Sequence, residues 1–141
     1  MKHLAWTLFA ILALAGCEPK KLSVSAISPM EAAGMQRNGF AVILDVREED
    51  EVRYSGLAQG AKWIPTSRIQ VDAPEWRALL SSVGKDQKLA IYCAGGMRAQ
   101  KAAELAAAAG VSAVNLGGFS DWKKAGLPVV KDLPGAAPAQ K

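Results

Sequence analysis

Apolar residues along the chain fall into short runs separated by polar segments. The runs at 40–44 and 88–92 are nearly continuous and rich in strand-forming residues, which is typical of strands buried on both faces of a sheet. Shorter strands are predicted at 23–27, 61–64 and 111–116. The pattern therefore predicts a set of short strands, two of which are enclosed on both faces.

Helix signals stand between these strands. Ser28, Pro29 and Glu31 form a helix-capping sequence directly after the first strand. Further helices are predicted at 48–54, 72–84, 98–109 and around Trp122. Strands that alternate with helices predict an α/β fold, in which right-handed crossovers join a parallel sheet covered on both faces. Ligands of such sheets bind beyond the carboxyl ends of the strands.

The start of the chain has a different pattern. An apolar run at 4–14 follows a short basic segment, and Leu14-Ala15-Gly16-Cys17 ends it. The run is shorter than the ~20 residues of a membrane-spanning helix and predicts a secretory signal peptide at 1–16. Its last residues resemble the bacterial lipobox, which implies that Cys17 is acylated and becomes the first residue of the mature chain. An ordinary signal peptide with an incidental cysteine is the alternative.

These features predict a domain plan and a location. Residues 17–22 form a lipidated tether, 23–130 the folded domain, and 131–141, rich in Pro, Gly, Ala and Lys, a disordered tail. We expect a lipoprotein in the cell envelope, on the periplasmic side of a bacterial membrane that it contacts through its lipid anchor. The net charge of +4 is scattered along the chain, so no nucleic-acid partner is expected.

Removal of the signal peptide narrows the possible chemistry. The single histidine, His3, leaves with it, which excludes Ser-His-Asp and Cys-His catalysis and any zinc site that uses histidine. With Cys17 acylated, Cys93 is the one remaining thiol, and it has no partner for an internal disulfide. An unpaired cysteine in an exported domain therefore points to a chemical role.

Cys93 stands where a predicted strand meets a predicted helix. Amide groups at a helix start lack intrahelical partners, and Gly95 and Gly96 allow the loop to turn those amides inward as a nest for an anion. The helix dipole and the Arg98 guanidinium add positive charge, so the thiolate is favoured over the thiol. The structural alternative is that Cys93 is a small buried hydrophobic residue at a strand end.

Tyr92-Cys93-Ala94-Gly95-Gly96-Met97-Arg98 resembles the active-site loop of single-domain rhodaneses, in which glycine follows the cysteine by three residues and arginine by five. Other segments resemble the family in the same order: Leu44-Asp45-Val46-Arg47-Glu48, Gly60-Ala61-Lys62-Trp63-Ile64-Pro65, Val114-Asn115-Leu116-Gly117-Gly118, Trp122 and Gly126-Leu127-Pro128-Val129. Together they cover nearly all of 23–130. The resemblance implies a three-layer rhodanese-like α/β fold, with a five-stranded parallel sheet between helices.

The resemblance also implies a sulfurtransferase. The Cys93 thiolate would take a sulfane sulfur from a small anionic donor such as thiosulfate and pass it, as a persulfide, to a thiophilic acceptor. Donor binding is implied for the rest of the loop: Ala94, Gly95, Gly96, Met97 and Arg98. Asp45 and Arg47 are expected to form a buried pair that supports the loop. No cofactor and no metal are expected, and the domain is expected to be a monomer.

Two departures from the family pattern and three alternatives remain. Leu57 stands in a segment where the family often has histidine, which puts the local packing in doubt. Ala99 stands where Ser or Thr is common in the family, which puts the range of sulfur acceptors in doubt.

A thiolate phosphatase or arsenate reductase is one alternative function, although its loop has five residues between Cys and Arg and this chain has four. The others are a non-catalytic persulfide carrier or protein-docking module, and an inert envelope lipoprotein.

Overall fold

The computed structural model describes residues 23–131. The predicted signal peptide at 1–16, the predicted lipidated tether at 17–22 and residues 132–141 of the predicted tail lie outside the described residues. The strands are β1 (Ala41–Asp45), β2 (Leu57–Ala58), β3 (Lys62–Trp63), β4 (Lys88–Cys93), β5 (Ala113–Gly118) and β6 (Val129–Val130). The α-helices are α1 (Pro29–Arg37), α2 (Glu49–Ser55), α3 (Pro74–Ser82), α4 (Met97–Ala108) and α5 (Phe119–Lys124). A 3-10 helix spans Thr66–Arg68. None of the helices within the described residues is long and apolar enough to cross a membrane.

Four strands form a parallel sheet in the order β3-β1-β4-β5. The two central strands, β1 and β4, come from the two apolar runs, and they pair in register from Ala41 opposite Lys88 to Asp45 opposite Tyr92. Both are buried along nearly their whole length. The predicted α/β class and parallel sheet are therefore confirmed, and the carboxyl ends of the strands meet at one edge.

The strand predicted at 23–27 is reduced to a single parallel bridge between Ala26 and Asn115. Two backbone hydrogen bonds of 2.9 Å, both made by Asn115, hold it against β5. Ser28 is already the N-cap of α1, so the chain turns into a helix before further pairs can form. The main sheet therefore has four strands and an edge bridge instead of the five strands expected.

A small antiparallel sheet of β2 and β6 was not predicted. Its strands have two residues each, which is too short to show a period of two in the sequence. The segment around β2 was predicted as a loop for that reason. The pairing brings the end of the described chain back against the segment that follows α2.

Two apolar clusters cover the faces of the main sheet. Residues of α1, α2 and α5 form one cluster, which includes Trp122 and Phe119. Residues of α3 and α4, including Trp76 and the buried alanines of α4, belong to the other. Successive residues of a strand point to opposite faces, so Tyr92 belongs to the first cluster and Cys93 to the second. The domain has three layers, with the Cys93 side chain on the α4 face.

Candidate active site

Cys93 is the last residue of β4 and lies at the carboxyl edge of the sheet. The chain turns directly after it because Gly96, the N-cap of α4, has a left-handed φ of 93°, which glycine adopts without steric cost. The turn brings the Gly96 N–H to the Cys93 sulfur, and the N···S distance is 3.0 Å. The sulfur therefore lies against the amino end of α4.

The structure brings the predicted donor-binding residues together around this turn. Ala94 and Gly95 are exposed, and Met97 is 78% exposed. Cys93 itself is only 1% exposed. A donor would therefore meet the loop first and the sulfur at its base, and the binding role of these residues stays a prediction.

Thiol reagents of different size test this geometry in a chain that carries Cys17→Ser. We expect a bulky aromatic disulfide to modify Cys93 at least about tenfold faster in urea than in the folded protein, because burial limits its approach to the sulfur. The small reagent iodoacetamide is expected to modify the folded protein as well. Mass spectrometry follows both reactions. If the bulky reagent reacts equally fast with the folded and unfolded chains, the Cys93 sulfur is accessible to it in the folded protein and burial does not limit its approach.

The end of β5 supports the Cys93 turn from behind. Asn115 donates from Nδ2 to the Gly96 carbonyl at 3.2 Å and accepts the Gly117 N–H at 2.9 Å. A Cβ atom on Gly118 would lie 2.6 Å from the Ala94 carbonyl oxygen, so the two segments approach closely only because position 118 is glycine. The sequence pattern assigned no site role to these residues. Their signals in the sequence are the family resemblance of segment 114–118 and the glycine pair that ends it.

Arg98 lies in the first turn of α4, and Glu51 of α2 holds its guanidinium. Nη1 and Nη2 of Arg98 donate to the two carboxylate oxygens at 2.7 and 2.8 Å. The hydrogen bond from Arg98 is the main cause that lowers the pKa of Glu51 from 4.5 to about 2. The same pairing raises the pKa of Arg98 above its ordinary value. Glu51 was not predicted as a site residue, and its only sequence signal is its place in an acidic segment.

The Glu51–Arg98 pair predicts a pH dependence of stability. Because the pKa of Glu51 is lower in the folded protein than in the unfolded chain, its stabilising contribution is complete above about pH 5 and is lost as the pH falls towards about 2. We expect the difference in unfolding free energy between the wild type and Glu51→Gln to be constant near neutral pH and to shrink in that window. Urea titrations at each pH measure it. A difference that stays constant down to about pH 2 would contradict the assignment.

Asp45 and Arg47 form an ion pair whose side chains are 0% and 3% exposed. Nη2 of Arg47 lies 2.6 Å from the Asp45 carboxylate, and Nε donates to the same group at 3.0 Å. The guanidinium also donates to the Ser55 hydroxyl at 2.7 Å and to the Gly56 carbonyl at 2.6 Å, and its carbon lies 3.8 Å from the centre of the Phe119 ring. The pair therefore ties the end of β1 to α2, the helix that supplies the partner of the loop arginine. Its support of the cysteine loop stays a prediction.

Tyr92 connects the ion pair to the strand that ends at the cysteine. Its hydroxyl accepts the Ala58 N–H at 3.0 Å, and its ring stacks on Phe119 with 5.7 Å between the ring centres. Burial, followed by the charge of the neighbouring Asp45, raises the pKa of Tyr92 well above its ordinary value. The Tyr92 hydroxyl therefore stays neutral, and its ring packs in the apolar core. Leu57, at the position of a frequent family histidine, is 2% exposed and belongs to the same apolar cluster.

The fold and the cysteine turn together define a class: a three-layer α/β domain with a cysteine loop at the carboxyl edge of its parallel sheet. A family model described as the rhodanese-like domain matches residues 28–125. The chain belongs to the rhodanese-like family. Members of this family are sulfurtransferases or related enzymes.

Solved structures share this fold. The chain is 28% identical to a rhodanese-related protein from Thermoplasma volcanium, with a TM-score of 0.60 and coverage of 77% of this chain and 99% of that one. It is 27% identical to the human single-domain sulfurtransferase TSTD1, with a TM-score of 0.57 and coverage of 72% and 97%. A protein of unknown function from Rhodopseudomonas palustris, described as a possible tyrosine phosphatase, is 27% identical, with a TM-score of 0.62 and coverage of 76% and 85%.

A longer relative contains a similar segment. The tRNA uridine(34) hydroxylase of Sinorhizobium medicae is 29% identical over 85 residues, which are 60% of this chain and 26% of the hydroxylase. The chain therefore corresponds to about a quarter of the length of that relative. This similarity adds to the family assignment.

Proposed function

We propose that this protein is a sulfurtransferase in which Cys93 carries the transferred sulfur. In the first half-reaction, the Cys93 thiolate attacks the sulfane sulfur of thiosulfate or a similar donor. The S–S bond of the donor breaks, and sulfite departs with the electron pair. In the second half-reaction, a thiophilic acceptor such as cyanide attacks the outer sulfur of the persulfide and restores the thiolate. Sulfur and charge balance over the cycle without a cofactor.

The observation that supports this proposal is the 3.0 Å hydrogen bond from the Gly96 N–H to the Cys93 sulfur. An amide that donates to sulfur stabilises an anionic thiolate or persulfide more than a neutral thiol. The amino end of α4 adds a favourable potential for the same charge. We further propose that the backbone amides of the exposed turn residues Ala94, Gly95 and Met97 receive the donor and the departing sulfite.

Thiocyanate formation from thiosulfate and cyanide tests the proposal. The chain with Cys17→Ser, in which Cys93 is the one thiol, is expected to turn over. Adding Cys93→Ser is expected to reduce the rate to background because no sulfur nucleophile remains. The double variant Cys93→Ser with Ser81→Cys is the matched control, since it restores one thiol at an exposed position of α3. This control is also expected to be inactive. Full turnover by either variant would contradict the role of Cys93.

The burial of Cys93 also fits a second candidate, a non-catalytic persulfide carrier, because a cysteine residue that is 1% exposed is shielded from solution thiols. A carrier takes up one sulfur per chain from a donor but does not release it to cyanide. An enzyme does both. Stoichiometric loading without thiocyanate formation would therefore favour the carrier.

Hydrolysis of phosphate esters is not expected. Four residues separate Cys93 from Arg98, and Glu51 already occupies the guanidinium that a phosphate would need. Hydrolysis of p-nitrophenyl phosphate by the wild type, and its loss in Cys93→Ser, would favour the phosphatase alternative instead.

We also propose that the mature chain is a lipoprotein anchored through Cys17 on the periplasmic side of a bacterial membrane. Ala26 pairs in parallel with Asn115, so the described residues before it, 23–25, lead towards the amino edge of the sheet, whereas Cys93 lies at the carboxyl edge. Labelling with a fatty acid in cells tests the anchor, and Cys17→Ser is expected to abolish the label.

A further inference from the structure

The charges beside the Cys93 loop do not form a simple site for a dianion. Residues 94–97, which follow the Cys93 thiolate, include no charged side chain, and Arg98 is the first cation after them. The helix that contacts Arg98, α2, begins in a run of four acidic residues at 48–51. The net charge that a sulfur donor meets therefore depends on how these carboxylates are placed around the guanidinium.

Glu51 is fixed in the position that neutralises Arg98. Besides its two bonds to the guanidinium, of 2.7 and 2.8 Å, its carboxylate accepts the Glu48 N–H at 2.9 Å. The Glu48 carboxylate is held in turn by the N–H and hydroxyl of Ser67, at 3.1 and 2.7 Å. This connected group contains one guanidinium and two carboxylates, so the charge of the Arg98 side chain is compensated in full.

We propose that Glu51 determines which donors the loop accepts, by neutralising Arg98 so that the site favours sulfur donors with a single negative charge over dianionic thiosulfate. Alkyl persulfides and thiosulfonates belong to the favoured class. The inference rests on the proposed sulfurtransferase function and adds its donor preference. Glu51 acts through Arg98 and is a positioning residue. The physical reason is that each further negative charge on a donor meets carboxylates without a net cation to offset them.

Thiosulfate and methanethiosulfonate form a matched pair of donors, because a methyl group replaces one anionic oxygen. With either donor, the Cys93 thiolate bonds to the terminal sulfur, the donor S–S bond breaks, and sulfite or methanesulfinate departs with the electron pair. The measured quantity is kcat/KM for thiosulfate divided by kcat/KM for methanethiosulfonate, with cyanide as acceptor. Glu51→Gln is expected to raise this ratio about tenfold, mainly through a lower KM for thiosulfate.

Glu49→Gln is the matched control. It removes the same charge from the same turn of α2, but Glu49 pairs with Arg53, at 2.7 Å, and not with Arg98. We expect it to change the ratio less than about twofold, because exposed charges are screened. An unchanged ratio in Glu51→Gln would overturn the inference. An equal rise in both variants would overturn it too, since the effect would then come from the total charge of α2.

The wild type offers a test that does not depend on the folding of a variant. Salt screens the repulsion between a dianion and a negatively charged site, so kcat/KM for thiosulfate is expected to rise with ionic strength, and more steeply than that for methanethiosulfonate. If kcat/KM for thiosulfate falls as ionic strength rises, the inference is overturned, because the fall indicates an uncompensated cation at the site.

If Cys93 takes sulfur from neither donor, the proposed function fails and the inference fails with it. If both donors react and Glu51→Gln leaves the ratio of their kcat/KM values unchanged, only the inference fails.

Discussion

Replacement of Asp45 by alanine is expected to lower the free energy of unfolding by about 3–5 kcal/mol. The substitution leaves the Arg47 guanidinium, which is 3% exposed, without its carboxylate partner in the interior. The remaining acceptors of Arg47, the Ser55 hydroxyl and the Gly56 carbonyl, are neutral and do not compensate its charge. Because small domains are stable by only about 5–15 kcal/mol, the variant is expected to unfold at much lower urea concentration.

Urea titration followed by circular dichroism measures this loss. Asp86→Ala is the control, because Asp86 is exposed in the turn before β4 and its removal is expected to change stability by less than about 0.5 kcal/mol. Equal stability of the two variants would show that the buried pair contributes little. Asp45→Asn, which keeps the shape but not the charge, is expected to fall between them.

Gly118→Ala is expected to reduce kcat/KM for thiocyanate formation about a hundredfold, since displacements of about 1 Å at a reacting group have effects of that size. The added Cβ would lie 2.6 Å from the Ala94 carbonyl oxygen, which is a backbone atom that cannot rotate away. The turn must shift to relieve the contact. A shift there moves the Gly96 N–H relative to the Cys93 sulfur that it now contacts.

Gly34→Ala is the control for Gly118→Ala, because it adds the same methyl group at a glycine that is distant from the cysteine turn. Gly34 lies in α1, and a Cβ there would have its nearest neighbour at 3.8 Å, an ordinary contact. Its activity is expected to equal that of the wild type, and its stability to rise slightly, because alanine is the better helix former. Full activity of Gly118→Ala would show that the close approach of β5 to the turn has no influence on the sulfur.

The sequence predicted best those parts of the fold in which local pattern and burial coincide. β1 and β4 are enclosed by helices on both faces, so both read as apolar runs. The turn after Cys93 was predicted because it needs a left-handed residue, and Gly96 supplies it. By contrast, β2 and β6 have two residues each, and no local pattern distinguishes such strands from loops.

The contacts that fix the loop could not be predicted from local pattern, because they join distant parts of the chain. Glu51 reaches Arg98 across 47 positions, and Gly118 meets Ala94 only because β4 and β5 are neighbours in the sheet. An acidic segment and a glycine pair are visible in the sequence, but neither shows its partner. The neutralisation of Arg98 is therefore a result of tertiary structure, and the loop motif alone suggests a free cation.

The proposed function requires that Cys93 accepts a sulfur atom. Intact-mass spectrometry of the chain with Cys17→Ser, before and after incubation with thiosulfate and methanethiosulfonate, tests it most directly. We predict a gain of one sulfur atom, located at Cys93 by peptide mapping, its removal by cyanide, and no gain in the variant that also carries Cys93→Ser. An unchanged mass with both donors, in protein that is folded by circular dichroism, would contradict the claim.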